Sequence, residues 1–115
     1  MDINQKIIKG EVVRGDGYGR QIGFPTVNLK TETTGLMPDG VYAGEGCIEG
    51  KTYKAGIVIG PGTKIEAHLI GYNADAYGKE VTLKINKFLR KFQKFNTEDE
   101  LITQIKKDIK ICSQE

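Results

Sequence analysis

The chain has 115 residues, 38% of them hydrophobic, with 17 Lys and Arg against 15 Asp and Glu and a formal net charge of +2. That length supports one hydrophobic core, because a second would be too small to hold itself together, so a single domain over 1–115 is expected. A balance this close to neutral suits a small anionic ligand and argues against nucleic acid as a partner. No signal peptide and no apolar run of about 18 residues is present, which argues against secretion and a membrane span and predicts a cytoplasmic protein.

Ile7 to Val13 is rich in β-branched residues and reads as a first strand. It leads into a nine-residue segment dense in glycine, Gly15-Asp16-Gly17-Tyr18-Gly19-Arg20-Gln21-Ile22-Gly23, read as a loop. Phe24 to Leu29 follows as extended chain, since Pro25 bars a helix interior. Gly40 to Ile48 and Thr52 to Ile59 flank Glu49-Gly50-Lys51 and predict a β-hairpin. Ile65 to Tyr72 is a further strand, and Glu80 to Phe88 alternates Val81, Leu83 and Ile85 with polar residues. Asn73-Ala74-Asp75 and Gly78 supply the turn between these two strands.

One helix is predicted, at the C-terminus. Thr97 to Glu100 forms a capping box, and Ile102, Ile105, Ile109 and Cys112 then recur at spacings of three and four along one stripe. Lys106, Lys107 and Lys110 fall off the stripe, on a solvated face. Five or six short strands with a terminal helix predict a small antiparallel barrel with the helix packed on it. Cys47 and Cys112, with no C-x-x-C and one histidine in the chain, cannot assemble a structural zinc site, so two buried, reduced thiols are expected.

Two features carry chemistry. Successive glycine N–H groups in the segment from Gly15 to Gly23 can cradle an anion; a flexible hairpin loop is the plainer alternative. No Gly-Lys-Ser/Thr ending is present, so this is not a Walker A loop, and the extended Pro25 segment excludes a dinucleotide fingerprint. Thr26 and Asn28, two apart in extended chain, project from one face and offer hard oxygen donors of the kind Mg²⁺ accepts; turn-stabilising side chains are the alternative.

Gly10-x-Val12 with Gly15, then Gly19-Arg20-x-x-Gly23-Phe24-Pro25-Thr26-x-Asn28-Leu29, resembles the riboflavin kinase family. Gly40-Val41-Tyr42-Ala43, Ile59-Gly60, Glu66-x-His68-Leu69, Tyr77-Gly78, Phe88-Leu89-Arg90, Lys94-Phe95 and Gln104-Ile105-x-x-Asp108 follow in the family's order. The resemblance extends over roughly residues 8 to 112, and Gly-Phe-Pro-Thr-x-Asn is its most specific stretch.

The resemblance implies a six-stranded antiparallel Greek-key barrel with a C-terminal helix. It implies an enzyme that moves the γ-phosphate of ATP to the ribityl 5′-hydroxyl of riboflavin, yielding FMN and ADP with Mg²⁺ as cofactor. Gly15, Gly17, Gly19, Arg20, Gly23, Thr26 and Asn28 would bind nucleotide, Thr26 also as metal ligand. Glu66 would be the general base, and Arg90 would lie near the flavin, although a surface ion pair is nearly as natural for it. His68 is read as a hydrogen-bonded structural histidine. A monomer that stops at FMN is expected, since a second, adenylyl-transferring step needs a phosphate site of its own. The alternative is a non-catalytic flavin- or nucleotide-binding module built on the same fold.

Overall fold

The computed structural model describes residues 6–31, 37–62 and 64–115. Its elements are β1 (Lys6–Val13), α1 (Tyr18–Gln21), β2 (Val27–Lys30), β3 (Gly40–Ile48), β4 (Lys51–Ile59), β5 (Ile65–Leu69), β6 (Glu80–Arg90) and α2 (Glu98–Gln114). The strands close into a barrel in the order β1-β2-β5-β4-β3-β6, with every neighbouring pair antiparallel. β3, β4 and β5 follow one another and β6 returns beside β3, which is Greek-key connectivity. The expected six-stranded antiparallel barrel with a C-terminal helix is the observed fold.

Period-two alternation fills the barrel. On β6, Val81, Leu83 and Ile85 are buried, whereas Thr82, Lys84 and Asn86 between them are half-buried. Ile8 and Val12 of β1, Val27 and Leu29 of β2, and Ile65, Ala67 and Leu69 of β5 join the same cluster. Each large aliphatic side chain so buried contributes about 1.5–3 kcal/mol. Gly46 leaves room for this packing, because a Cβ there would run into Leu69 and lie 3.3 Å from Leu83. α2 packs across β4 and β3. Gly56 presents bare backbone to it, with Cys112 Sγ 3.6 Å from where a Cβ would stand.

Thr97 caps α2 as its sequence predicts, its hydroxyl accepting from the Glu100 N–H at 3.1 Å. The Glu100 carboxylate reaches back one residue further than a capping box requires, to the Asn96 N–H at 3.1 Å. Among the described residues no helix is long and apolar enough to cross a membrane.

Several boundaries differ from the sequence reading: β1 starts one residue early, at Lys6, and β2 runs Val27–Lys30 where Phe24 to Leu29 was expected. The β3–β4 turn contains only Glu49 and Gly50, both with positive φ (51° and 79°), as a type I′ turn requires, and Lys51 already belongs to β4. β5 ends at Leu69, where the Tyr72 N–H turns back onto the Leu69 carbonyl at 3.1 Å. β6 continues past Phe88 to Arg90. Inside the glycine segment, α1 forms one helical turn, with Gln21 N–H donating to the Gly17 carbonyl and Ile22 N–H to the Tyr18 carbonyl, both at 3.2 Å. Glycine is a poor helix former, so composition alone points away from that turn.

Candidate active site

β2 sends Val27 and Leu29 into the core, which turns Thr26 and Asn28 to the outer face. β5 lies antiparallel to β2 with Asn28 opposite Glu66 and Val27 opposite Ala67, so Glu66 shares that outer face. The two segments are joined through side chains: the Thr26 hydroxyl donates to Glu66 Oε1 at 3.0 Å. The other carboxylate oxygen, Oε2, takes an ion pair from Lys64 Nζ at 3.1 Å. The hydrogen bond to Glu66 and its negative charge raise the Lys64 ammonium above the ordinary lysine value; slight burial works against them and Asp16 adds a little. His68, two residues along the same face, donates from Nδ1 to the Pro25 carbonyl at 2.7 Å and meets Phe24 edge-on at 6.0 Å. The hydrogen bond expected of it is present.

Beside this cluster lies a cleft of about 330 Å³, walled by the end of β1, the glycine segment, Pro25 to Asn28 and the connection from β5 to β6. Gly15, Gly17, Arg20, Thr26 and Asn28 all line it. The opposite wall, residues 72–77, is pinned to β1: Gly78 N–H donates to the Val12 carbonyl at 2.9 Å and Val12 N–H to the Lys79 carbonyl at 2.8 Å. Asp75 holds the turn by accepting from the Tyr77 N–H at 3.0 Å.

The glycines serve two purposes. A Cβ on Gly15 would stand 2.6 Å from the Asn28 side-chain carbon, so the close seating of the Asn28 amide on the backbone requires glycine at that position. A Cβ on Gly19 would stand 2.5 Å from the Phe24 carbonyl oxygen, and the chain returns there because the Phe24 N–H donates to the Gly19 carbonyl at 2.7 Å. Gly17 and Gly23 instead bound α1 with φ of 74° and 95° and have open space around them. Gly19 and Gly23 shape the segment, and Gly15 and Gly17 face the cleft.

The donor chemistry on the outer face fits Mg²⁺. The Thr26 hydroxyl, the Asn28 amide oxygen and the Glu66 carboxylate are hard oxygens, and Mg²⁺ takes one or two such protein ligands together with water and phosphate oxygens. Among the described residues no three His, Cys, Asp or Glu side chains gather into a metal cage. Such a face suits a metal shared with phosphates.

Arg90 stands apart from this cluster in its partners. Its Nε contacts both Asp108 oxygens at 3.2 Å, one Nη meets Asp108 Oδ2 at 2.9 Å, and the other donates to the Lys91 carbonyl at 3.3 Å. Asp108 also accepts from Gln104 Nε2 at 3.0 Å. The pair ties α2 to the end of β6, the ion-pair alternative the sequence left open.

Two side chains, Arg14 and Lys64, escape a motif-based reading, and a third, Asp108, stood in a matching stretch with no role given to it. Arg14 lines the cleft with its guanidinium 4.2 Å over the Tyr77 ring. Lys64 holds Glu66, and its spacing of two from Glu66 in extended chain was the available signal. Asp108 falls between apolar residues of the α2 stripe, where a polar residue at a buried position points to a partner on another element.

The family model described as flavokinase, riboflavin kinase, matches residues 4–115. The chain is 36% identical over 109 residues to a bifunctional riboflavin kinase/FMN adenylyltransferase of Listeria monocytogenes, with 87% of this chain and 35% of the relative covered. A Bacillus subtilis protein of the same description is 36% identical over 112 residues, with 88% and 35% covered. The chain thus spans about a third of the length of these relatives. Among solved structures, riboflavin kinase from Trypanosoma brucei superposes with a TM-score of 0.78 at 22% identity, covering 97% of this chain and 80% of that one, a likeness of fold. With nearly its whole length matched by one family and the barrel of that family observed, this chain belongs to the riboflavin kinase family.

Proposed function

We propose that the chain transfers the γ-phosphate of ATP to the ribityl 5′-hydroxyl of riboflavin, forming FMN and ADP. The observation that carries this reading is the Thr26–Glu66 hydrogen bond at 3.0 Å, which brings the β5 carboxylate to the wall of the glycine-lined cleft. A proton acceptor beside a phosphate-sized, cation-lined cleft is what phosphoryl transfer to an alcohol needs.

The triphosphate lies along Gly15 and Gly17, with Arg14 and Arg20 offsetting its charge from the cleft walls. Asn28, seated on Gly15, orients the terminal phosphate, and Thr26 and Asn28 would hold Mg²⁺. Bound Mg²⁺ supplies charge neutralisation on the phosphate oxygens. The 5′-oxygen of riboflavin attacks the γ-phosphorus as its proton passes to Glu66; the new O–P bond forms as the bond to the β-bridging oxygen breaks, and ADP leaves. Arg90, at the far end of β6, is assigned to the flavin side.

The test is incubation with riboflavin, ATP and Mg²⁺ followed by chromatographic separation of flavins. FMN is expected, and Glu66→Gln is expected to lower turnover about 10²- to 10⁴-fold, the usual worth of a general base, with ATP binding intact. Near-normal turnover in that variant would remove Glu66 from the mechanism. Folded protein that binds flavin but forms no FMN would refute the kinase reading.

A further inference from the structure

Glu66 has two duties open to it on this face. It can accept a proton, or it can join Thr26 and Asn28 in coordinating a divalent cation. A carboxylate directly bound to Mg²⁺ is a poor proton acceptor, because the cation withdraws the electron pair that must take the proton. The arrangement around Glu66 bears on which duty it performs.

Both carboxylate oxygens are already engaged, one by the Thr26 hydroxyl at 3.0 Å and the other by the Lys64 ammonium at 3.1 Å. The charged neighbours are one-sided: Lys64 comes from the segment entering β5, and Asp16 of the glycine segment acts on Lys64. On β4 the residue paired with Glu66 is Val58, and on β2 it is Asn28, both uncharged. Lys64 also borders a second cleft, of about 400 Å³, that shares Arg14, Gly15 and Asn28 with the first. The Lys64 side chain is 50% exposed and that of Glu66 21%, so the lysine lies across the carboxylate from the solvent side.

We propose that Lys64 is a positioning residue: with Thr26 it fixes both oxygens of Glu66, reserving the carboxylate for the proton and keeping it out of the coordination shell of a divalent metal. The inference rests on the reading of Glu66 as general base. A lysine ammonium provides the charge that a metal would otherwise bring, without the Lewis acidity. The metal is then left to Thr26, Asn28 and the phosphates it arrives with. The lysine also discourages a metal from settling on Glu66 before nucleotide binds, since a divalent cation would have to approach within a few ångströms of an ammonium.

The test uses Mn²⁺ as the probe and needs no turnover. Water-proton relaxation titrations on the nucleotide-free protein are expected to show about tenfold tighter Mn²⁺ binding in Lys64→Met than in the wild type, the size of one like-charge repulsion across water at this distance. Lys64→Arg is expected to behave as wild type. In the double variant Lys64→Met/Glu66→Gln the gain is expected to vanish. Unchanged Mn²⁺ affinity in Lys64→Met, or a gain that survives in the double variant, would overturn the proposal. Kinetically, Lys64→Met is expected to lose about tenfold in kcat with KM for Mg²⁺-ATP unchanged, and Lys64→Arg to restore it. A change confined to KM would make Lys64 a substrate-binding cation and would also overturn the proposal. Wild-type turnover in Glu66→Gln would instead refute the general-base reading, while the Mn²⁺ titration would still decide whether Lys64 withholds the carboxylate from metal.

Discussion

Asp108→Ala should destabilise the protein more than any surface substitution on α2. Asp108 is 8% exposed and receives two contacts from Arg90 Nε, one from Arg90 Nη2 and one from Gln104. Truncating it leaves the Arg90 guanidinium without its counter-charge where water reaches it poorly, its side chain being 19% exposed. Breaking a buried pair by removing one partner costs about 3–5 kcal/mol, and the residual exposure of both side chains places this case near the lower figure. A domain of this size loses about 4 °C of melting temperature per kcal/mol, so a fall of about 12 °C is expected. Thermal unfolding of wild type, Asp108→Ala and Arg90→Met/Asp108→Leu checks the reasoning. The double variant should recover most of the loss, because a well-packed apolar pair can replace a buried ion pair at little net cost. A single-variant shift below about 3 °C, or a double variant worse than the single, would show that the pair does not anchor α2.

Thr26→Val keeps the shape of the side chain but removes both the donor to Glu66 and the oxygen offered to metal, so Mg²⁺-ATP affinity by calorimetry should fall about tenfold in a folded protein; equal affinity would leave Thr26 a purely structural role. Gly15→Ala would push a methyl group into the Asn28 amide and should weaken nucleotide binding at least as much, with the melting temperature nearly unchanged because the segment lies at the surface. The Cys112 thiol is pushed up to about 11, first by burial and then by the charges of Asp108 and Glu115. Its thiolate is therefore scarce throughout the neutral range, and iodoacetamide at pH 8 should label Cys47 well before Cys112; mass spectrometry of the digested protein reads the order.

Which parts of this protein were legible in its residues follows from how local each determinant is. The strands show in the sequence because one face of each is buried: Val81, Leu83 and Ile85 alternate with polar neighbours since the pleat makes them. The start of α2 shows because Thr97 and Glu100 meet their partners within one turn. Thr26 and Asn28 could be placed on one face from spacing alone, and the resemblance of the Glu66-x-His68-Leu69 stretch named Glu66 as the expected base. Other decisions belong to the closed barrel. The pairing of β2 with β5, which sets Asn28 opposite Glu66, joins segments nearly forty residues apart and depends on all six strands closing together. The helical turn Tyr18–Gln21 forms despite Gly19 within it, because its ends are tied by Asp16 and by the return of Phe24 onto Gly19. The partner of Arg90 was undetermined until α2 came down across β3 and β4 with Asp108 on its buried side. Lys64 is the exception, since its place on Glu66 follows from a spacing of two in extended chain. Local chemistry selects the elements, and charge partners across elements are selected by what the packed barrel brings within about 3 Å.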